Sequence, residues 1–297
     1  MTSTGPAPGP ATGPAPVPAP PAPQEPHRGP VGRALLVTGV VVGLLAVAWG
    51  ALFLVDRAVA TTTTQHETYA AVGTVELVAD GDVTVKAADG GGTGGRVEVD
   101  RIARQGLTSP TYRADDGADR LVVTHECRRW QWIPGRCAGE LAVTLPADTT
   151  LVVRTSNGDV VAAGVVGDTE LRSSNGDVAA SATGRLDAGS SNGDVLVDRA
   201  AGDVVAASSN GSIEVTGVEG SLDADTSNGR VDVSGVTGDV RAESSNGDVT
   251  VVGDGEPVRL TIETSNGEQT TEGPTDPDAD RAVEVRSSNG DVAYLVR

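Results

Sequence analysis

Eight copies of Ser-Asn-Gly constrain this chain more than any other feature. Their asparagines are Asn157, Asn175, Asn192, Asn210, Asn228, Asn246, Asn266 and Asn289, spaced by 18, 17, 18, 18, 18, 20 and 23 residues. A period this regular indicates stacked, nearly identical units rather than an ordinary globular core. Counting from Asn228, Val231, Val233, Val236, Val240, Ala242 and Ser244 fall at offsets 3, 5, 8, 12, 14 and 16. The copy from Asn210 places Ile213, Val215, Val218, Leu222, Ala224 and Thr226 at the same offsets, and the copy from Asn192 repeats the pattern. Asp, Glu, Arg, Thr and Gly lie between. Alternation holds within offsets 3–5 and 12–16 and loses phase between them. The pattern reads as strand, corner, strand, with small or β-branched residues pointing inward.

The expected fold is all-β: a parallel β-helix or solenoid of about 18 residues per turn. At about 4.8 Å per turn these copies make a rod roughly 35–40 Å long. Like residues lie over like, so the eight asparagines form a side-chain ladder. Glycine after asparagine suits a corner needing positive φ. An antiparallel meander is the main rival, because Asn-Gly is also a hairpin signal. It fails near Thr237-Gly238, where inward Val236 would pair with outward Asp239. A helix of three hexapeptides also totals 18, but the cadence Asn228, Thr237, Asn246 is nine plus nine. Right-handed crossovers are the default for parallel strands. Calcium-binding β-rolls need a GGxGxD pattern that is absent. The carboxylate column Asp159, Asp177, Asp194, Asp248, Glu268, Asp291 is interrupted by Ser212 and Arg230, so it reads as a solvated face and no metal is expected.

Composition narrows the function. Beyond residue 57 there are 39 acids against 19 bases, a formal charge of −20. Such a surface repels nucleic acid and anionic lipid. No Phe, Trp or Tyr occurs from Ala138 to Ala293, which argues for a thin core. A carbohydrate-cleaving solenoid would need clustered acids beside aromatic subsites, and the rod has none. Of His27, His66 and His125, only His125 falls in the folded region, so a hydrolase triad is weakly supported. No catalytic residue and no cofactor are expected.

Residues 1–33 form a Pro/Ala-rich stretch expected to be a disordered cytoplasmic tail. Residues 34–55 are 22 uncharged, mostly apolar residues, about 33 Å as a helix, and read as a transmembrane segment. Ala58-Val59-Ala60 resembles a cleavage site, but the apolar run is too long for a secretory signal. Arg28 and Arg33 before the span, against Arg57 after it, place the N-terminus in the cytoplasm and the C-terminal part outside. Residues 56–68 read as a linker, 69–150 as a β-rich cap with the first rungs, and 151–297 as the repeat solenoid. Tyr294 is available to cover the far end.

Cys127 and Cys137 are expected to join in an extracytoplasmic disulfide. Between them, Arg128, Arg129, Trp130, Trp132 and Arg136 make a basic, aromatic loop on an acidic domain. Its bland reading is a stapled cap loop. Its functional reading is a contact site, with rings on sugar and arginines on an anionic polymer. A zinc site from His125, Cys127 and Cys137 lacks a fourth ligand.

At its serial Ser-Asn-Gly-Asp-Val and Gly-Asp-Val corners the chain resembles a bacterial family of membrane-anchored or secreted "putative adhesin" β-solenoid domains of unknown function. The resemblance covers about residues 150–297 well and about 70–150 loosely. It implies a parallel β-helix at the cell surface, adhesion, and in some members envelope-stress signalling. The expected function is therefore a non-enzymatic, membrane-anchored, adhesin-like surface protein that binds envelope glycan, an anionic polymer or a membrane protein partner. The alternative is an extracytoplasmic sensor subunit of envelope-stress signalling.

Overall fold

The first described element is a helix, α1 (Pro30–Val59), in a computed structural model that describes residues 30–88, 95–127 and 137–296. Contacts divide the chain into a unit ending at Trp49 and a second unit, Gly50–Arg297. Within α1, Val37–Val59 is 23 residues long, exposed but for Asp56, which is buried and accepts the Leu107 N–H, and apolar enough to cross a membrane. The helix is longer at both ends than the 34–55 segment read from hydropathy. Nothing in Pro30–Arg33 or Asp56–Val59 breaks a helix, since proline is tolerated in the first turn. The tail expected over 1–33 lies outside the described residues up to position 29.

The linker expected over 56–68 is structured. Strand β1 (Thr61–Ala70) pairs antiparallel with β4 (Arg96–Gln105) along its whole length. Its run of threonines is β-branched, and β4 bonds the backbone of alternate residues along one edge of it. The Thr61–Gln65 stretch is therefore sheet and not linker.

The rest of the second unit is a stack of two-stranded coils. The first coil is β2 (Thr74–Ala79) with β3 (Val83–Ala87). After β4 come β5 (Pro110–Asp116), β6 (Arg120–Cys127) and β7 (Cys137–Leu145). The coils then run β8 (Thr150–Thr155) with β9 (Val160–Ala163), β10 (Thr169–Ser173) with β11 (Val178–Thr183), and β12 (Leu186–Ser190) with β13 (Val195–Ala200). They continue as β14 (Val204–Ser208) with β15 (Ile213–Val218), β16 (Leu222–Thr226) with β17 (Val231–Val236), and β18 (Val240–Ser244) with β19 (Val249–Gly253). The last two are β20 (Arg259–Thr264) with β21 (Gln269–Thr271), and β22 (Ala282–Ser287) with β23 (Val292–Val296).

Alternate strands belong to two sheets, and neighbouring coils pair in parallel, as in Ile213↔Val231 and Leu222↔Val240. Parallel pairing rules out the meander. Setting aside antiparallel β1 and β4 from the 12-stranded sheet and β5 from the 11-stranded sheet leaves ten parallel strands in each, hence ten coils. At the usual strand spacing the stack is roughly 45 Å tall. The inward offsets hold: Val231, Val233, Val236, Val240, Ala242 and Ser244 are all buried. The core is a narrow column of Val, Leu and Ala between the sheets.

Coil order differs from chain order at both ends. At the C-terminal end the sheets run β18-β22-β20 and β19-β23-β21. The chain thus builds its outermost coil first, then returns to insert β22–β23 beneath it. At the N-terminal end, β2–β3 lies between β6–β7 and β8–β9, with β6–β7 outside. Residues 268–280 contain β21 and a bridge from Val258 to Thr275. Tyr294 does not cover the end. It is fully buried in the inserted coil, because the chain's last coil is not the stack's last.

Candidate functional site

The repeat corners are built from hydrogen bonds between coils. Asn228 donates from Nδ2 to Asn210 Oδ1 (3.1 Å) and to Ser209 O (3.0 Å). The same pattern links the whole column, in the spatial order Asn157, Asn175, Asn192, Asn210, Asn228, Asn246, Asn289, Asn266. Asn157 donates to Ser156 Oγ in its own corner, and every later amide donates towards the N-terminal end, so the column is directional.

A second column lies beneath it; its residues were read as inward at offset 16, but their hydrogen bonds were not. The residue two places before each asparagine is Ser or Thr. Ser208 is typical: it is buried, its Oγ donates to Gly193 O at 3.0 Å, and it accepts the Gly211 N–H at 2.9 Å. Thr155, Ser173, Ser190, Thr226, Ser244, Ser287 and Thr264 likewise donate to a glycine carbonyl of the adjacent coil. A buried hydroxyl satisfied in this way contributes about 1 kcal/mol, and left bare it would cost more. The eightfold recurrence of Ser/Thr at that offset was the available signal.

The corner glycines do not have positive φ, contrary to expectation; that conformation belongs to Gly164, Gly217 and Gly235 one strand later. Glycine is required at the corner by proximity. A Cβ on Gly211 would lie 2.0 Å from Gly193 O, and one on Gly229 would lie 2.0 Å from Gly211 O. The carboxylate column is also more than a solvated face. Asp159 Oδ1 accepts the Asp177 N–H (2.9 Å), Asp177 Oδ1 accepts that of Asp194 (2.8 Å), and Asp291 Oδ1 accepts that of Glu268 (2.8 Å). These acids cap backbone donors of the next coil. Among the described residues no cluster of three or more His, Cys, Asp or Glu is placed to hold a metal ion.

At the N-terminal end Cys127 and Cys137 are joined, with S–S 2.02 Å and Cα–Cα 5.9 Å. Arg128, Arg129, Trp130, Trp132 and Arg136, the contact residues read from the sequence, lie outside the described residues. The base of their loop is described. Asp80 accepts the Cys127 N–H. His125 is buried and donates from Nδ1 to Glu140 O at 3.2 Å, and burial lowers its pKa. Its ring meets the Tyr112 ring edge-on, with centroids 5.9 Å apart. Tyr112 and Tyr69 share a hydrogen bond of 2.6 Å between hydroxyls, and Tyr69 donates to Glu67. The Arg101 guanidinium lies 4.2 Å above the Tyr112 ring and 3.4 Å from Glu67. Burial pushes both phenols and the Glu140 carboxyl up, and Arg104, 3.0 Å away, pulls Glu140 back down. Five strands supply this cluster, which plugs the end of the core. It was missed because its members are far apart in sequence.

Towards the other end, the outer face of the β20–β22–β18 strands forms an open polar groove of about 540 Å³. Arg286 spans it, 3.2 Å from Glu243 and 3.1 Å from Glu263. Asp225 lines it, and burial, then Glu243 and Asp223, push its carboxyl up.

Comparison with curated proteins gives no match. Among solved structures, a "putative adhesin" from Bacteroides fragilis is similar at 12% identity, over 80% of this chain and 97% of that one, with a TM-score of 0.39. A "putative lipid binding protein" from Parabacteroides distasonis matches at 11% identity over 79% and 97%, with a TM-score of 0.48. A "putative cell adhesion protein" from Clostridium sporogenes matches at 10% over 80% and 100%, with a TM-score of 0.24. The family model for Toastrack DUF4097 matches residues 78–296, the whole coil stack but its first few residues, and the chain belongs to that family.

Proposed function

We propose that this chain is a non-enzymatic, single-pass membrane protein that displays a rigid coil stack outside the cell. On this reading the stack acts as an adhesin-like binding surface for envelope polymer or a protein partner. The observation that carries the reading is the junction of two elements: an exposed apolar helix long enough to span a membrane, followed within two residues by β1. Supporting it, the repeat acids serve as backbone acceptors, which fits a scaffold better than a reaction centre. The neighbours described as adhesins are in keeping with this role.

Lys86 is the chain's one lysine and is exposed on β3. A membrane-impermeant amine reagent applied to intact cells is expected to label Lys86 and spare the N-terminal amine. The reverse labelling would overturn the orientation. For the contact role, the full chain in detergent is applied to an envelope-polymer and glycan array, beside Trp130→Ala and Trp132→Ala. Binding that neither substitution weakens would remove the disulfide loop as the contact site.

A further inference from the structure

We propose that Asn266 is a site of spontaneous self-modification, at which the Gly267 backbone nitrogen attacks the Asn266 side-chain amide and leaves aspartate or isoaspartate in the outermost coil. The chemistry is open to any Asn-Gly step, because glycine puts no side chain in the way of the attack. This chain has eight such steps, and the stack treats one of them differently. Neither a membrane anchor nor an external partner is needed.

Seven of the eight asparagines accept, at Oδ1, the amide of the asparagine in the next coil. Asn266 ends the column. It donates from Nδ2 to Asn289 Oδ1 at 3.0 Å and to Ser288 O at 3.4 Å, and among the described residues nothing donates to its Oδ1. The attacking nitrogen is left open in the same way. The N–H groups of Gly158, Gly176, Gly193, Gly211 and Gly229 donate to the Ser or Thr hydroxyl of their own corner, and these glycines are buried. Gly247 and Gly290 are half-buried, and a hydroxyl of the next coil, from Ser287 or Thr264, closes on their carbonyls. Gly267 is exposed, and among the described residues no group accepts its N–H.

Ring closure requires the Asn266 carboxamide carbon to swing onto that nitrogen. At an inner corner the swing breaks bonds to the coils on both sides, and the glycine must be uncovered first. At Asn266 it breaks bonds to one coil only, and water already reaches the site.

The reaction balances with water alone. A bond forms between Gly267 N and Asn266 Cγ, and the Cγ–Nδ2 bond breaks. The Gly267 N–H proton passes through solvent to the departing nitrogen, which leaves as ammonia. Water then opens the cyclic imide at either carbonyl, giving aspartate or isoaspartate. Either product replaces the donor to Asn289 Oδ1 with a carboxylate, which can only accept. Two acceptors then face each other, and isoaspartate also lengthens the backbone between β20 and β21. The outermost coil therefore loosens irreversibly as the protein ages.

The test incubates the full chain in detergent in mildly alkaline buffer and follows the Asn-to-Asp mass change by peptide mapping. Cleavage after Arg241, Arg259, Arg281 and Arg286 puts Asn246, Asn266 and Asn289 on separate peptides. Asn266 is expected to deamidate at least about tenfold faster than any other of the eight, since those must first open against a covering coil. In urea, where the coils are gone, the eight rates are expected to converge. Hydrogen exchange of the aged chain is expected to quicken in β20–β21, and Asn266→Gln to abolish that change. An Asn266 rate no faster than those of Asn246 and Asn289 in the folded chain, or a preference for Asn266 that persists in urea, would overturn the site. Equal loosening of aged Asn266→Gln chains would overturn its effect on the outer coil.

Discussion

The two ends of the coil stack begin from the same device and finish differently. At each end the chain lays down one coil out of turn, so that β2–β3 and β22–β23 are both clamped between neighbours. The N-terminal end is then closed by antiparallel β1, β4 and β5, and by Tyr69, Tyr112, Arg101 and His125 over the core. The C-terminal end receives no antiparallel strand, and its inward Leu260 and Ile262 stay partly exposed. Clamping secures a terminal coil against fraying. Ending the stack is a separate task, done here by strands that run against the coils and leave β1 and β5 as the edges.

The largest expected effect tests the clamp. A Cβ at Gly290 would lie 2.2 Å from Gly247 O, and one at Gly139 would lie 2.3 Å from His125 O. Gly290→Ala and Gly139→Ala are each expected to cost about 3 kcal/mol in urea unfolding. Gly255→Ala, with nothing within 4 Å but φ +92°, is expected to cost about 1 kcal/mol. Equal costs for Gly290→Ala and Gly255→Ala would break the comparison. Next, the double substitution Cys127→Ser with Cys137→Ser is expected to cost about 2–3 kcal/mol. Hydrogen exchange should quicken in β5–β7 and stay unchanged in β20–β23.

Acid should also tell the ends apart. Burial lowers the pKa of His125, so the unfolded state binds more protons below its ordinary value of 6.5. Stability of the N-terminal end is therefore expected to fall as pH drops through 6.5. Glu140 offsets part of this, since its raised pKa favours the folded state as acid protonates it. At the other end Arg281 grips Asp254 through two bonds of 2.7 and 2.8 Å and holds its carboxyl well below the usual range. That contribution is present above pH 3.8 and is lost only below it. Local melting followed by hydrogen exchange from pH 7 to 4 should thus open β5–β7 before β20–β23, and His125→Phe should remove the difference. The smallest effect lies in mid-stack. Arg199 has φ 62° where Gly164, Gly217 and Gly235 stand in other coils. Arg199→Gly is expected to stabilise by about 1 kcal/mol in the same unfolding assay, with neither end altered.

The periodic part of this architecture was legible because one residue's environment repeats along the stack. Val231, Val233 and Ala242 declare their burial by recurring at fixed offsets. Insertion of the terminal coils was not legible, because periodicity carries no order. The lengthened spacings before Asn266 and Asn289 were its only trace. β1 escaped because a run of threonines has no apolar face, and its partner β4 alone determines it. The corner glycines were read correctly as obligatory but for the wrong reason, since proximity of neighbouring coils is not visible in a single copy. At the candidate site the sequence drew attention to the loop between the cysteines. The Tyr69–Tyr112–Arg101 cluster beside it is assembled by three strands, and no local motif marks it.

The late placement of β22–β23 also sets the order in which this protein can be finished. A ribosome completes β20 and β21 before the residues that must lie beneath them, so the stack cannot zip up coil by coil as the chain emerges. Its inserted layer is seated only after β20 and β21 have been made. A chain cut short after β21 would not be a slightly shorter rod; it would lack an internal layer.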